Sequence, residues 1–320
     1  MYKLSASGNF CGTLAAYHER QTMTQSVGVI GLGDMGLAMA RNLLAAGFTT
    51  YGCDLREERL ALLEAAGGRR AESLAHLAQR ADPIFVMVLN GAQARQVICG
   101  ADGLCHTLPK GATLIITATV EPRELRELAD ELQNSGVHLI DCPVSGGQFG
   151  AEAGTLTLMA AAPTAVLDAQ REVLAAISAQ LIHVGETPGQ GQTVKAALQA
   201  FIGVSYVGIF EALALGTAAG VPGHTLVDVI GSTHAGNTSF FRAVTQHILA
   251  REFDHTGSHI GTMVKDLGIS QSLGRECSVP LFTTAAAAEL FRAAIARYPQ
   301  EDNQCIIKLL EEVSGVELRP

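Results

Sequence analysis

The sequence predicts an α/β protein, with a doubly wound parallel sheet followed by an all-α C-terminal domain. Between residues 26 and 188, short apolar runs alternate with amphipathic stretches, which is the pattern of parallel strands joined by crossover helices. After residue 188 the strand signals stop, and an almost wholly apolar stretch, residues 192–220, begins a helical remainder. With 320 residues, of which 48% are hydrophobic, the chain is long enough for two domains with full cores.

The first predicted strand leads into a glycine-rich turn and a helix. The strand-type run of residues 27–30 is followed by a GxGxxG motif at residues 31–36, and apolar residues then recur at helical spacing. Gly31 permits a tight turn, Gly33 lets the backbone approach a pyrophosphate, and Gly36 lets the helix pack closely on the sheet. The helix start adds free N–H groups and the positive end of its dipole. This context indicates a dinucleotide-binding domain of the Rossmann type rather than a purely structural turn.

An acidic residue, Asp54, follows the second apolar run. A carboxylate at the end of that strand accepts hydrogen bonds from the ribose hydroxyls and repels a 2′-phosphate. The sequence therefore predicts NAD as the cofactor, with NADP as the alternative. Arg56 keeps the alternative open, because an arginine there can bind a 2′-phosphate or simply begin the helix predicted over residues 56–66.

The remaining elements follow in the same alternation. Strands are predicted over residues 84–89, 113–116, 137–140, 156–160 and 181–184, and helices over 73–80, 93–98, 122–134 and 164–179. The dinucleotide-binding domain then covers residues 26–188 and the helical domain covers 189–320. The stretch 192–220 is interpreted as a buried interdomain helix rather than a membrane span, because Lys195 and Glu211 bound its apolar centre. Such a helix often also buries surface in a homo-oligomer.

Composition excludes several function classes. The net charge of -9 argues against nucleic acid and against an anionic membrane as partners. The seven cysteines form no CxxC pair, which fits a reducing cytoplasm, and the spacing of the ten histidines predicts no metal site, although His255 and His259 lie four residues apart. Residues 1–25 are polar and without periodicity; they lack the apolar core of a signal peptide and are interpreted as a disordered leader or a non-native start, with a transit peptide as the alternative.

Two further segments contain candidate substrate-binding and acid/base residues. After the strand that ends at Asp141, the N–H groups of Ser145, Gly146 and Gly147 could hold a carboxylate, or the glycine pair could be only a flexible loop. Lys195 lies at the start of the long apolar helix, with Gln199 four residues on and on the same face. Desolvation lowers the pKa of a lysine towards the range of proton transfer, so the pair could be an acid/base unit; the alternative is a lysine that extends to solvent.

With these motifs in order, the sequence resembles the β-hydroxyacid dehydrogenases, which include 3-hydroxyisobutyrate dehydrogenase and tartronate semialdehyde reductase. The resemblance runs from about residue 27 to the end of the chain. It implies a Rossmann domain and a helical domain that binds substrate and forms the dimer, with the cofactor between them. The matching segments are residues 31–36 with 39–43, 141–147 with 154–157, 189–191 leading to Lys195, and Lys265-Asp266-Leu267.

The resemblance also assigns roles to positions of this chain. It implies that Lys195 is the catalytic lysine and that Thr119 lies beside both nicotinamide and substrate. The carboxylate-binding loop falls on Ser145, Gly146 and Gly147. The implied cofactor contacts are Gly31, Leu32, Gly33, Asp34, Met35, Gly36, Asp54, Leu89, Asn90, Thr119 and Lys265.

One position departs from the usual pattern, because Gln199 stands where the family generally has Asn. The branch that resembles L-threonate dehydrogenase shares this Gln, and it also resembles this chain at residues 236–241 and 301–308. Asn237 and Ser239 could then bind extra substrate hydroxyls. The expected activity is NAD-dependent oxidation of an L-threonate-like four-carbon sugar acid in a cytoplasmic homodimer or homotetramer. The alternatives are a 3-hydroxyisobutyrate dehydrogenase, a tartronate semialdehyde reductase, or a non-catalytic relative, which would be expected to lack the lysine.

Overall fold

A computed structural model describes residues 25–318 and confirms the predicted fold class. A nine-stranded sheet with helices on both faces precedes a region whose described elements are helices, the last of which ends at Ser314. The predicted leader comprises residues 1–25, of which residues 1–24 lie outside the described part of the chain. The strands are β1 (Ser26–Ile30), β2 (Thr49–Cys53), β3 (Arg69–Arg70), β4 (Ile84–Val86), β5 (Thr113–Ile116), β6 (His138–Asp141), β7 (Val144–Ser145), β8 (Leu156–Ala161) and β9 (Ser178–Gly185).

The strand order is β3-β2-β1-β4-β5-β6-β8-β7, with β9 paired to β8. Pairing is parallel from β3 to β6, as predicted, but β8 is antiparallel to both β6 and β7. Only residues 146–155 separate β7 from β8, whereas a parallel crossover needs a dozen residues or more. The prediction of parallel strands throughout was therefore wrong at this end of the sheet.

Helices cover both faces of the sheet, which explains why its central strands are continuously apolar. Along β4 and β5, Phe85 and Ile115 face one buried cluster, while their neighbours Ile84 and Leu114 face the other. The helices of this domain are α1 (Asp34–Ala45), α2 (Glu57–Ala65), α3 (Leu74–Arg80), α4 (Gly91–Cys99), α5 (Pro122–Leu132), α6 (Gly147–Glu152), α7 (Thr164–Ala169) and α8 (Arg171–Ala175).

Two predicted elements have different bounds in the structure. The strand expected over residues 84–89 ends at Val86, because Asn90 caps α4 through a hydrogen bond from the Gln93 N–H (2.9 Å). The single helix expected over 164–179 is interrupted at Gln170, whose side chain contacts Thr113 (3.4 Å), and its last residues belong to β9.

The second region is built around one long helix, α9. Tyr206, Phe210 and Leu213 line its buried face and pack on the other helices of the region. Its opposite face is open in the single chain, with Phe201 70% and Leu215 74% exposed, so only one face of the predicted interdomain helix is buried within this chain. By length and composition alone α9 could also cross a membrane, a test that core helices pass too. The helices are α9 (Gln190–Ala218), α10 (Gly223–Ser232), α11 (Ser239–Ala250), α12 (Ile260–Glu276), α13 (Phe282–Arg297) and α14 (Ile306–Ser314).

Candidate active site

The glycine turn between β1 and α1 is sterically suited to a phosphate group. Gly31 has a φ of +85°, and a Cβ there would lie 2.2 Å from the Met87 carbonyl oxygen. A Cβ on Gly36 would lie 1.8 Å from the carbonyl oxygen of Gly31, so α1 packs as closely as a glycine allows. A Cβ on Gly33, in contrast, would meet only the Arg56 guanidinium, at 3.9 Å, and among the described residues no side chain caps the start of α1. The backbone of Gly33 and the first N–H groups of α1, at Asp34 and Met35, could therefore hold the pyrophosphate of a dinucleotide.

Asp54 lies just after β2 and is fixed beside this turn. Its Oδ2 accepts the N–H of Leu32 (2.6 Å), and its Oδ1 accepts the N–H of Arg56 (2.9 Å). Burial raises the pKa of Asp54, but these two N–H bonds and the Arg56 guanidinium, 3.4 Å away, outweigh burial and hold the pKa below its usual value. An ionised carboxylate therefore stands at the edge of the turn. The guanidinium of Arg56 is paired with that carboxylate and lies near Glu58 (3.9 Å).

Lys195 is the buried cation predicted from the sequence, with 6% of its surface exposed. Burial lowers its pKa, the carboxylate of Asp266 opposes this effect, and the ammonium group of Lys265 adds to it. Among residues 25–318 no hydrogen bond holds its amine. An amine with a lowered pKa and no fixed partner can accept a proton near neutral to alkaline pH.

Asp266 is a site residue to which the sequence analysis assigned no role. It is 2% exposed; its Oδ1 accepts a hydrogen bond from Lys265 Nζ (2.7 Å), and its Oδ2 accepts one from Gln199 Nε2 (2.5 Å). Lys265 also donates to the carbonyl oxygen of Thr119 (2.9 Å). The amide nitrogen of Gln199 is thus bound to Asp266, which leaves its carbonyl oxygen for a ligand. The only sequence signal was the position of Asp266 directly after Lys265.

This network joins the two regions of the chain at a cleft. Asn90, Thr119 and Lys265 share a cavity of about 240 Å³ between the end of the sheet and α12. Asn90 reaches it from the start of α4, whereas Leu89 is 72% exposed. The structure therefore brings together three of the residues predicted to contact cofactor or substrate.

The predicted carboxylate loop lies at the end of β7. Gly146 and Gly147 have φ values of +136° and +61°, which side-chain-bearing residues rarely adopt. A Cβ on Gly147 would lie 2.8 Å from the carbonyl oxygen of Gly257, and the N–H of Gln148 donates to that oxygen (3.3 Å). The second region therefore contacts the loop directly, while Ser145 remains half-buried.

Other predicted site residues do not belong to this hydrogen-bond network. Asn237 is exposed and accepts a hydrogen bond from Arg242 (2.7 Å), and Ser239 is the exposed first residue of α11. The described contacts join neither residue to Lys195 or to the glycine loop. His259 accepts the N–H of Gly261 (3.0 Å), and residues 25–318 contain no cluster of three or more metal-ligating side chains.

Comparisons with known proteins agree with this architecture. A family model described as the NAD binding domain of 6-phosphogluconate dehydrogenase matches residues 26–185, and one described as NAD-binding of NADP-dependent 3-hydroxyisobutyrate dehydrogenase matches residues 189–310. An L-threonate dehydrogenase from Cupriavidus necator is 37% identical over 92% of this chain and 98% of its own length. A 2-(hydroxymethyl)glutarate dehydrogenase from Eubacterium barkeri is 34% identical over 91% and 96%. The crystal structure of a 3-hydroxyisobutyrate dehydrogenase from Salmonella typhimurium superimposes with a TM-score of 0.80 at 33% identity, covering 89% of this chain and 99% of that one.

Proposed function

The chain belongs to the 3-hydroxyisobutyrate dehydrogenase-like family, near its L-threonate dehydrogenase branch, and we propose that it oxidises L-threonate or a similar four-carbon sugar acid with NAD. The protein is a hydroxyacid dehydrogenase, and its first domain is a NAD(P)-binding domain. The observation that carries the proposed chemistry is the buried Lys195, whose pKa is lowered by burial and whose amine lies near Asp266.

In the proposed mechanism, backbone N–H groups of the loop at Ser145, Gly146 and Gly147 bind the substrate carboxylate. A nicotinamide cofactor held by the first domain would supply the acceptor for the hydride of the alcohol carbon. Lys195, as the neutral amine, accepts the hydroxyl proton, and its lowered pKa makes that form available. Gln199, oriented by Asp266, presents its carbonyl oxygen to a substrate hydroxyl.

The proposed use of NAD rests on Asp54. Its carboxylate is ionised and stands beside the N–H of Leu32, where it would accept hydrogen bonds from the ribose and repel a 2′-phosphate. The pairing of Arg56 with Asp54 supports the same choice, because the guanidinium already has a carboxylate partner. NADP is the competing cofactor.

The proposed substrate rests on the similarity of this chain to relatives named L-threonate dehydrogenase. Relatives named L-threonate dehydrogenase are 37% and 33% identical to this chain over 92% of its length. The second candidate, 3-hydroxyisobutyrate, is named in a mouse mitochondrial relative that is 29% identical. Both acids carry a carboxylate that the glycine loop would bind, so chain length and extra hydroxyls are what distinguish them.

The test is a substrate panel with the purified full chain. L-threonate, its stereoisomers, 3-hydroxyisobutyrate and a three-carbon hydroxy acid are each offered with NAD and then with NADP, and reduction of tartronate semialdehyde is followed with NADH. We expect the highest kcat/KM for L-threonate with NAD. A higher value for 3-hydroxyisobutyrate, or for semialdehyde reduction, would contradict the substrate, and a preference for NADP would contradict the cofactor.

We further propose that the functional unit is a homo-oligomer in which a second copy covers the open face of α9. Val194, Phe201 and Leu215 are 40%, 70% and 74% exposed along this helix. Apolar side chains that recur on one face of a long helix are typical of a surface that another subunit covers.

A further inference from the structure

The first turn of α9 is held by a buried carboxylate from the sheet. Asp141, the last residue of β6, is fully buried, and its Oδ2 accepts the N–H groups of Gly189 (2.8 Å), Gly191 (2.8 Å) and Gln192 (3.3 Å). The first N–H groups of a helix have no partner within it, and a negative charge there is favoured by the helix dipole. Asp141 thus ties the end of β6 to the start of the helix that carries Lys195.

A second side chain ties the same turn to another part of the site. Gln192 is 1% exposed; its Nε2 donates to the carbonyl oxygen of Ala118 (3.0 Å), and its Oε1 accepts the N–H of Val120 (3.1 Å). These two backbone groups flank Thr119. The start of α9 is therefore fixed at two points, one before the glycine loop and one at the Thr119 segment.

The first turn of α9 is packed too tightly against β6 and β8 to accept a larger residue. A Cβ on Gly191 would lie 2.6 Å from the carbonyl oxygen of Met159 and 2.8 Å from Asp141 Oδ1, and Gly189 has a φ of +94°. Asp141 Oδ1 is buried and has no hydrogen-bond partner within residues 25–318. Burial raises the pKa of this carboxyl to about 7, although the three N–H groups oppose it. Burial of a carboxylate with one unpaired oxygen is costly. The three hydrogen bonds that the other oxygen accepts all come from the first turn of α9.

We propose that Asp141 and Gln192 are positioning residues that set the location of Lys195 relative to Thr119 and the glycine loop. Lys195 lies one helical turn beyond Gly191, so a shift of the anchored turn moves its amine directly. The glycine loop begins only a few residues after Asp141. The inference rests on the proposed function, because it assigns the anchor to proton transfer by Lys195.

Three variants test the anchor, two of them with a matched control. Asp141→Ala removes all three bonds, while Asp141→Asn keeps one acceptor oxygen and serves as the conservative rescue. Gln192→Leu removes the second tie; its control is Gln170→Leu, which changes a buried glutamine of the first domain whose contact is to Thr113, at the opposite end of β5 from the Thr119 segment. Gly191→Ala adds a methyl group that has no space and changes no charge.

The readouts are kcat and KM on the best acid of the panel, the Kd of NADH, and amide hydrogen exchange over residues 187–198. We expect Asp141→Ala, Gln192→Leu and Gly191→Ala to lower kcat on the order of 10²-fold, the usual cost of about 1 Å of misplacement. The Kd of NADH should stay within about twofold, because β4 and β5 separate β6 from the phosphate turn. Amide hydrogen exchange at residues 189–192 should increase in all three variants. Asp141→Asn should recover most of the wild-type kcat, and Gln170→Leu should leave kcat unchanged.

Two results would overturn the proposal. One is a folded Asp141→Ala or Gly191→Ala protein that keeps kcat near that of the wild type; if Asp141→Ala does not fold, Gly191→Ala decides alone. The other is a loss of kcat without increased exchange at residues 189–192. If the wild type oxidises no acid, the proposed function fails, whereas the exchange data still report whether Asp141 holds the helix start.

Discussion

The electrostatic role of Asp266 gives the sharpest prediction. Replacing Asp266 with Asn removes the one negative charge among residues 25–318 that raises the pKa of Lys195, while burial and the ammonium group of Lys265, which both lower it, remain. The pKa of Lys195 should therefore fall further. Because oxidation needs the neutral amine, the rate of oxidation should reach its plateau at a lower pH in Asp266→Asn than in the wild type.

The structure also limits the size of this shift. An opposite charge nearby usually changes a pKa by about 1 to 3 units. Lys265, 2.7 Å from Asp266, partly offsets the charge of that carboxylate, so we expect the fall to lie towards the lower end of this range. The plateau itself should be lower, because an Asn side chain cannot accept hydrogen bonds from both Lys265 and Gln199 through two oxygens as Asp266 does.

The assay is kcat for the oxidation, measured at saturating acid and cofactor across the range from neutral to alkaline pH. Lys265→Met is the matched variant with the opposite expected shift. Removal of that ammonium group should raise the pKa of Lys195 and move the inflection to higher pH. The inflection of the wild type should lie below the ordinary lysine value of about 10.4. An Asp266→Asn inflection that stays in place or moves upward would refute the reasoning.

Three further predictions test the site and the assembly. Lys195→Ala should lower kcat by about 10² to 10⁴ with a nearly unchanged Kd for NADH, as measured by cofactor fluorescence; near-normal turnover would exclude the role. Gln199→Asn shortens the side chain by about 1.5 Å and should break its 2.5 Å bond to Asp266, with greater loss of kcat/KM on four-carbon than on three-carbon acids. Phe201→Glu on the open face of α9 should dissociate the oligomer in sedimentation experiments, whereas Val229→Glu, also at an exposed position, should not.

The sequence by itself determined the fold class and most of the elements. Residues 31–36 predicted the turn because the reasons for Gly31 and Gly36 are local: a positive φ and close packing of α1 on the preceding strand. The desolvated Lys195 was also visible, since an apolar helix surrounds it in the sequence. Such features follow from neighbours along the chain, which local patterns report directly.

Only the tertiary structure decided which polar groups meet. Asp266 reaches Gln199 from a helix 67 positions away, and Asp141 reaches Gly189 across 48 positions. The structure likewise decided that β8 runs antiparallel and that Phe201 faces outward. Hydrogen-bond partners of this kind depend on how helices dock on the sheet and on one another, to within about 0.5 Å, and neither periodicity nor spacing encodes that relation.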